Sequence, residues 1–550
     1  MDVPCAFTGD HERATSPAER ASTCPHTEST AMVLATEEHD RSTPVTSGAP
    51  GSRLLAHRRQ FLIGPRHLPA RASWRTEKVG HGLFAHIGPD LDFTALHAAS
   101  ASLYLFGLMI HCHKPHLSDT EILQHLAADP DPAVISERTM PLGGRWALLV
   151  VQQGRHWIIN DAFGMRSVVF TNHRVAEAWY ASDPLLIAET LDLLPNSEAQ
   201  NYITSRLNLR PFIWFPAAAT LFEEVEQLLP NHRLDGQTRK QERFFPTRSL
   251  PTRAAADVAP ELGRMLGNIV GGICDRYPAA LALTAGLDSR TILAASRASV
   301  DKLRFYTVSD RARRADPVDI MSDPDVAGAR RLAQSLGLHH EVVHSSRAAP
   351  TGVWSTLVEH TATPNRFSDE WIAALRECDP PLQVSINGGI SEAIRGRYYP
   401  ITSKLAATGG DLAHLFATGP GRDFARSSLE PWFNDAVQLC RDTNYQLLDL
   451  YYWELWMGRW LSQLLLEQDL VIETVHPFNC REIIATGLAV DWKSRSAPAG
   501  SLLHKRIIEL MWPECLADAP KTKSKTTLIL ANLRALKGWQ VLRKLARRSG

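Results

Sequence analysis

The stretch Ala279–Ala298, AALALTAGLDSRTILAASRA, decides the fold. It opens as a short apolar run, as a buried strand would. It passes through Thr284-Ala285-Gly286-Leu287-Asp288-Ser289 and continues as a helix-like run from Ser289. A buried strand ending in a small-residue turn with one acid and two hydroxyls is suited to hold a phosphate. Ala285 and Gly286 let backbone N–H groups approach an anion, and the helix points its positive end at the same spot. Thr284 and Ser289 add hydroxyl donors. Asp288 repels an anion, so its place there makes sense if Mg²⁺ lies between acid and phosphate. The spacing is not the Walker pattern. An ordinary strand-to-helix connection is the competing reading, and most such turns are only that.

The surrounding chain alternates. LRFYTVS (303–309), HEVVHS (340–345) and LQVSING (382–388) read as strands, and DVAGARRLAQSLG (325–337) as a helix closed by Gly337. Alternating strands and helices predict a parallel sheet, whose ligands bind beyond the carboxyl ends of the strands. TAGLDS (284–289) and NGGISE (387–392) both fall at such ends. From about Leu412 the pattern is mostly helical, and the basic amphipathic tail 531–550 reads as a solvated helix. Upstream, from about Gly80, the pattern is β-rich. SLYLFGLMIH (102–111) reads as a buried strand and SDTEILQHLAA (118–128) as a helix with a capping box. RWALLVVQQGRHWIINDAFGMRSVVFT (145–171) reads as three strands joined by turns, and AWYASDPLLIAETL (178–191) as strand then helix. Residues 1–58, rich in Ser, Thr, Pro, Gly and His, are expected to be a disordered extension. Residues 59–245 and 246–550 are expected to be two domains.

A chain of 550 residues exceeds one ordinary core. Its 59 basic and 59 acidic residues cancel, so it has no global field for nucleic acid. No apolar run approaches the roughly 20 residues needed to cross a bilayer, and no signal-peptide core opens the chain. The 8 cysteines include no C-x-x-C pair, which fits reduced thiols in a cytoplasmic protein. HCHKPH (111–116) suggests metal binding through His111, His113 and His116, but no acid or cysteine pair nearby completes a set. A loop is the reading preferred there. His339 and His340 open a strand and read as structural.

Several segments, in order, resemble the asparagine synthetase superfamily. TAGLDSR resembles its S-G-G-x-D-S pyrophosphate loop, with Thr284 and Ala285 departing from it. The run 144–170 followed by WYASDPLLIA resembles the end of its glutaminase domain, and LFEEVEQLLPNHRL (221–234) the segment after it. DPDVAGARRLAQSLGLHHEVV (323–343), NGGISEAIRGRYY (387–399) and HPFNCREII (476–484) occupy the places of later motifs. The resemblance covers roughly 80–525. It implies an α/β chain: an N-terminal glutaminase-like (Ntn-type) α+β domain, then a parallel-sheet ATP-pyrophosphatase-type synthetase domain. The family's glutaminases expose Cys at position 2. Here position 2 is Asp2, Cys5 and Cys24 lie in the extension, and Cys112 lies inside the domain. The first domain is therefore expected to release no ammonia, leaving the amine to come from the substrate.

Within the superfamily, T-A-G-x-D-S-R, the G-R-W start of the hairpin, YYWELWMGRW (451–460) and NGG…E…RG resemble lasso-peptide macrolactam synthetases. β-Lactam synthetases are the nearest alternative, but their dyad Tyr is matched here by Gly389. The resemblance implies ATP and Mg²⁺ as cofactors, with Asp288 and Glu392 as metal carboxylates. It implies that Leu283, Val308, Asn387 and Gly388 line the nucleotide beside Thr284, Ala285, Gly286, Leu287, Ser289 and Arg290. It also implies a catalytic lysine, best matched by Lys523 or Lys525 in KTKSK. Glu454 sits near the place of a proton-accepting dyad member. The substrate implied is a leaderless core peptide, whose Asp or Glu side chain is joined to its own α-amine. A leader peptidase is the expected partner. The alternatives are a small-molecule lactam synthetase, an asparagine synthetase-like amide ligase, and a non-catalytic peptide-binding scaffold.

Overall fold

The computed structural model describes residues 55–517 and 519, apart from 70, 72, 81, 208–213, 310–322, 345–351, 377, 379–380, 397–411, 414–420 and 496–500. The expected disorder of the extension falls outside these residues as far as 54. Order is present before the expected 58/59 boundary: His57 is buried, and its N–H donates to His360 Nδ1 at 2.8 Å.

Among the described residues three sheets form, two of them antiparallel. The first runs in the order Val225–Gln227, Val169–Thr171, Tyr180–Ala181, Phe61–Gly64, Phe84–Ile87, Arg75–Lys78. The second runs Lys240–Arg243, His232–Asp235, Arg155–Asn160, Leu142–Gln152, Ser102–His111, Phe93–His97. Period-two alternation stacks them face to face. Tyr104 and Phe106 join Ala147 and Leu149 against Phe61, Ile63, Ala85 and Ile87, with the Phe61 and Phe106 rings 4.7 Å apart. Leu103, Leu105 and Met109 point the other way, onto helices Asp119–Ala127 and Pro132–Arg138. Helix Pro184–Leu191 shares a core with Leu62 and Ala181 on the outer face of the first sheet. The result is a helix–sheet–sheet–helix stack. The capping box at Ser118 and Glu121 is formed as expected. The hairpin of Leu142–Gln152 and Arg155–Asn160 turns at Gln153-Gly154, both at positive φ, the geometry a twisted hairpin favours.

The third sheet is parallel and five-stranded, in the order His340–His344, Leu303–Ser309, Ala279–Ala282, Val384–Ile386, Glu473–Val475. The fold class expected from the sequence, a layered α+β part followed by a parallel-sheet part, is the one found. From Ala279–Ala282 the chain moves outward to Leu303–Ser309 and His340–His344. It then returns to Val384–Ile386 on the other side of Ala279–Ala282. That reversal opens a crevice between the carboxyl ends of the two adjacent strands, where α/β sheets bind ligands.

The fifth strand, Glu473–Val475, has no place in the sequence reading. Its buried Glu473 is satisfied from the antiparallel part, where Arg166 Nη2 reaches both carboxylate oxygens at 2.8 Å. Arg145 likewise meets buried Asp469 through two bonds of 2.5 and 2.8 Å. A continuous core also joins the two parts, with Leu108 and Ile110 packed among Val258, Leu262 and Ile269 of helix Ala255–Arg276. That helix buries residues three and four apart, as an amphipathic helix must. No described helix is long and apolar enough to cross a membrane.

Candidate functional site

The loop after Ala279–Ala282 is held from within. Leu283 closes the strand, donating its N–H to Tyr306 O at 2.8 Å and accepting from Thr307 Oγ1 at 2.6 Å. Thr284 N donates to Ser289 Oγ at 3.1 Å, the two hydroxyls lie 3.0 Å apart, and Gly286 N donates to Thr284 Oγ1 at 3.2 Å. Thr284 and Ser289 therefore shape the turn first. Gly286 is the N-cap of helix Leu287–Ala295 and provides no side-chain cap, which leaves the first N–H groups to meet a ligand. Arg290 is fully buried. Its Nε donates to Ala285 O at 2.9 Å, and its Nη1 to Cys515 O and Ala517 O at 2.7 Å each. Arg290 thus ties the loop to the chain just ahead of Lys523 and Lys525, which lie outside the described residues.

The neighbouring strand brings its own loop against this one. A Cβ on Gly388 would stand 2.7 Å from both the carbonyl carbon and oxygen of Asp288, and 3.0 Å from Ser289 N, so only glycine fits. Asn387 N donates to Val475 O at 3.0 Å, and its side chain accepts from Gly389 N at 2.9 Å. The 3-10 turn Gly389–Arg395 then directs three side chains inward. Arg395 Nη1 pairs with both oxygens of Asp288 at 2.7 and 2.6 Å, and Ser391 donates to Asp288 Oδ1. Glu392 accepts a hydrogen bond from the Tyr452 hydroxyl. Fully buried His504 brings Nε2 to 3.9 Å from Asp288 Oδ1. Burial pushes the His504 imidazole down to about 4, so it stands there neutral.

A cleft of about 450 Å³ adjoins this loop pair. Asn387, Gly389, Glu392 and His476 form its polar end, and Trp214, Trp456, Met457 and Trp460 much of its apolar wall. Burial lowers His476 to about 3, which makes it a neutral lining residue. Tyr452, Trp456, Met457 and Trp460 all come from Tyr451–Leu461, an 11-residue π-helical stretch. Such widened turns often mark functional sites.

Glu454, on the same stretch, faces away into a different network. Arg243 donates to its two oxygens at 2.6 and 2.9 Å, Asn231 at 2.9 Å and Trp432 Nε1 at 2.7 Å. Burial alone would raise this carboxyl, but the Arg243 charge and these bonds hold it below its ordinary value. Glu454 is thus held in a buried ion pair and does not line the cleft, where the resemblance implied a proton-accepting dyad member. Val308 is a partly buried strand residue opposite Val343. Thr284–Arg290, Asn387, Gly388 and Glu392 are thus gathered at one crevice. Arg395, Ser391, Tyr452, His504 and the tryptophans join them without having been singled out. Arg395, Ser391 and Tyr452 lie inside the motif stretches, but which residues turn inward depends on the 3-10 and π geometry. Asp288 and Glu392 offer the carboxylate oxygens that Mg²⁺ takes, and the charge of Asp288 is balanced here by Arg395.

The fold and site define an α/β protein with an anion-suited loop and an aromatic cleft at the switch point of a parallel sheet. No family model matches the sequence, and no curated protein matches it. Among solved structures the chain is similar to the allosteric regulatory enzyme of purine biosynthesis at 11% identity. That match covers 66% of this chain and 72% of the other, with a TM-score of 0.23. It is also similar to glutamine phosphoribosylpyrophosphate amidotransferase from B. subtilis complexed with ADP and GMP. That match has 11% identity, covers 60% and 69% of the two chains, and has a TM-score of 0.20. At TM-scores this low neither likeness carries an argument, and the site geometry stands by itself.

Proposed function

We propose that the protein is an ATP-dependent, AMP-forming amide ligase acting in the manner of a lasso-peptide macrolactam synthetase. The observation that carries this reading is the pairing of two loops at the switch point, with Gly388 against the Asp288 backbone. The pairing puts an uncapped helix N-terminus, two carboxylates and an aromatic cleft within one crevice.

In this reading the N–H groups of the Leu287–Ala295 helix take the phosphates of ATP. Asp288 and Glu392 would hold Mg²⁺, which when bound offsets phosphate charge. A peptide side-chain carboxylate attacks the α-phosphate and releases pyrophosphate, leaving an acyl adenylate. The peptide's own α-amine then attacks the acyl carbon; the amide forms, AMP leaves and the amine proton passes to solvent or a base. A lysine at 523 or 525 would stabilise the developing negative charge. The tryptophan-lined cleft would hold the folded peptide with amine and carboxyl close together, where effective molarities reach roughly 10⁵ M. Asparagine synthetase-like amide formation differs only in the source of the amine.

The test is mass spectrometry of candidate core peptides incubated with ATP and Mg²⁺. A peptide with a free α-amine is expected to lose one water, and its N-acetylated form to lose none. Loss of water from the acetylated peptide would exclude the α-amine as nucleophile and with it the macrolactam reading.

A further inference from the structure

His111-Cys112-His113 carries three metal-binding side chains in a row but no complete ligand set in its own segment. The fold brings Glu482 to it from the start of a distant helix. Cys112 follows strand Ser102–His111, and Cys480 is the N-cap of helix Arg481–Leu488. Both segments are fixed to the same short stretch: Cys112 N donates to Pro141 O at 2.9 Å, and Glu482 N to Met140 O at 3.0 Å. Ligand atoms of Cys112, His113 and Glu482 all lie within 4.8 Å of one another. Cys480 Sγ lies outside this set and donates to Met140 O at 3.4 Å. Both thiols are free and buried, whereas the His113 and Glu482 side chains are 32% and 31% exposed. The cluster therefore has a dry sulfur end and a wet rim through which an ion can enter.

We propose that Cys112, His113 and Glu482 hold a Zn²⁺ ion, with water in the fourth tetrahedral position. Thiolate and imidazole donors select zinc over the hard cations that an all-oxygen site takes. Bonds of about 2.0–2.3 Å place tetrahedral ligand atoms roughly 3.3–3.8 Å apart. The cluster contracts by up to about 1 Å to reach that spacing, while the 2.6 Å contact of His113 Nε2 with Glu482 Oε1 opens. The Cys112 thiol proton leaves to solvent as the ion enters. One group opposes it: Arg264 Nη1 lies 3.4 Å from His113 Nδ1 and must swing away. His111 is not in the set, since its Nδ1 accepts from His113 N at 3.2 Å. The ion would pin the end of an antiparallel strand to the helix that follows the parallel sheet, independently of any reaction at the crevice.

The test uses the full chain with no histidine tag. Purified protein, dialysed against a weak chelator, is expected to keep about one zinc per chain by elemental analysis. Cobalt substitution is expected to give a near-ultraviolet thiolate charge-transfer band and the intense visible bands of a tetrahedral ion. Glu482→Gln, at the exposed rim where folding is least at risk, should weaken cobalt binding at least tenfold, and Cys112→Ser should remove the thiolate band. Arg264→Gln should bind more tightly than the parent, which a purely structural His113–Glu482 pair does not predict. Absence of retained metal, cobalt without a thiolate band, or a Cys112–Cys480 disulfide in a non-reducing peptide map would overturn the proposal.

Discussion

Replacing Gly388 with alanine tests whether the two loops form one site. The new Cβ would stand 2.7 Å from the carbonyl carbon and oxygen of Asp288 and 3.0 Å from Ser289 N, and all three are backbone atoms that cannot rotate aside. Ordinary contact needs about 3.4 Å or more, so the loops must part by roughly 0.5 Å or more. Overpacking of this kind costs about 1–3 kcal/mol of stability. The larger effect should be on activity, because misplacing reacting groups by about 1 Å can cost around a hundredfold. We expect pyrophosphate exchange into ATP to fall at least about tenfold while the protein still melts cooperatively. Gly271→Ala is the control. It lies in helix Ala255–Arg276, where the nearest neighbour of a new Cβ is Ser299 Oγ at 3.7 Å, so it should be neutral or stabilising. A folded Gly388→Ala protein with unchanged ATP affinity and exchange would refute the shared site.

Three further outcomes follow from the geometry. Tyr452→Phe removes the hydroxyl that donates to Glu392 but keeps the ring stacked on Trp456. Its melting temperature should change little, while exchange falls about tenfold, read by steady-state kinetics. Arg145→Ala leaves buried Asp469 without its bidentate partner and should cost about 3–5 kcal/mol in denaturant unfolding. Burial lifts Glu467 from 4.5 to about 7, against the hydrogen bonds it accepts from Ser368, Gln463 and Asn365. Between those values the folded state keeps a proton that the unfolded chain has released. This group's contribution is therefore fully favourable below about pH 4.5 and is lost as pH rises to about 7, by about 3 kcal/mol. Unfolding titrations should show that slope in the parent and its flattening in Glu467→Gln.

Local pattern was enough for the parallel sheet and for the loop at Thr284–Ser289, because apolar runs and small-residue turns are short-range signals. It was also enough for the Ser118 cap and the Gln153-Gly154 hairpin. It failed wherever a polar residue is buried by a partner far along the chain. Glu473 breaks the apolar look of the fifth strand, and Arg166 and Arg145 explain it. Glu454 stands by resemblance near the place of a dyad member, yet Arg243 holds it in a buried ion pair. The same cause hid the Glu482 side chain that faces Cys112 and His113. Arg395 and Tyr452 escaped notice for a different reason: which side of a 3-10 or π turn faces a crevice is not written in helical spacing.

Asp288 is proposed to belong to a site that adenylates a carboxylate. Radiolabelled pyrophosphate exchange into ATP, with a carboxyl-bearing core peptide and Mg²⁺, measures that half-reaction alone. Peptide-dependent exchange is expected in the parent protein, and its loss in an Asp288→Asn variant that keeps the parent's melting temperature. Exchange that persists in folded Asp288→Asn, or its absence from the parent with every peptide that binds, would contradict it.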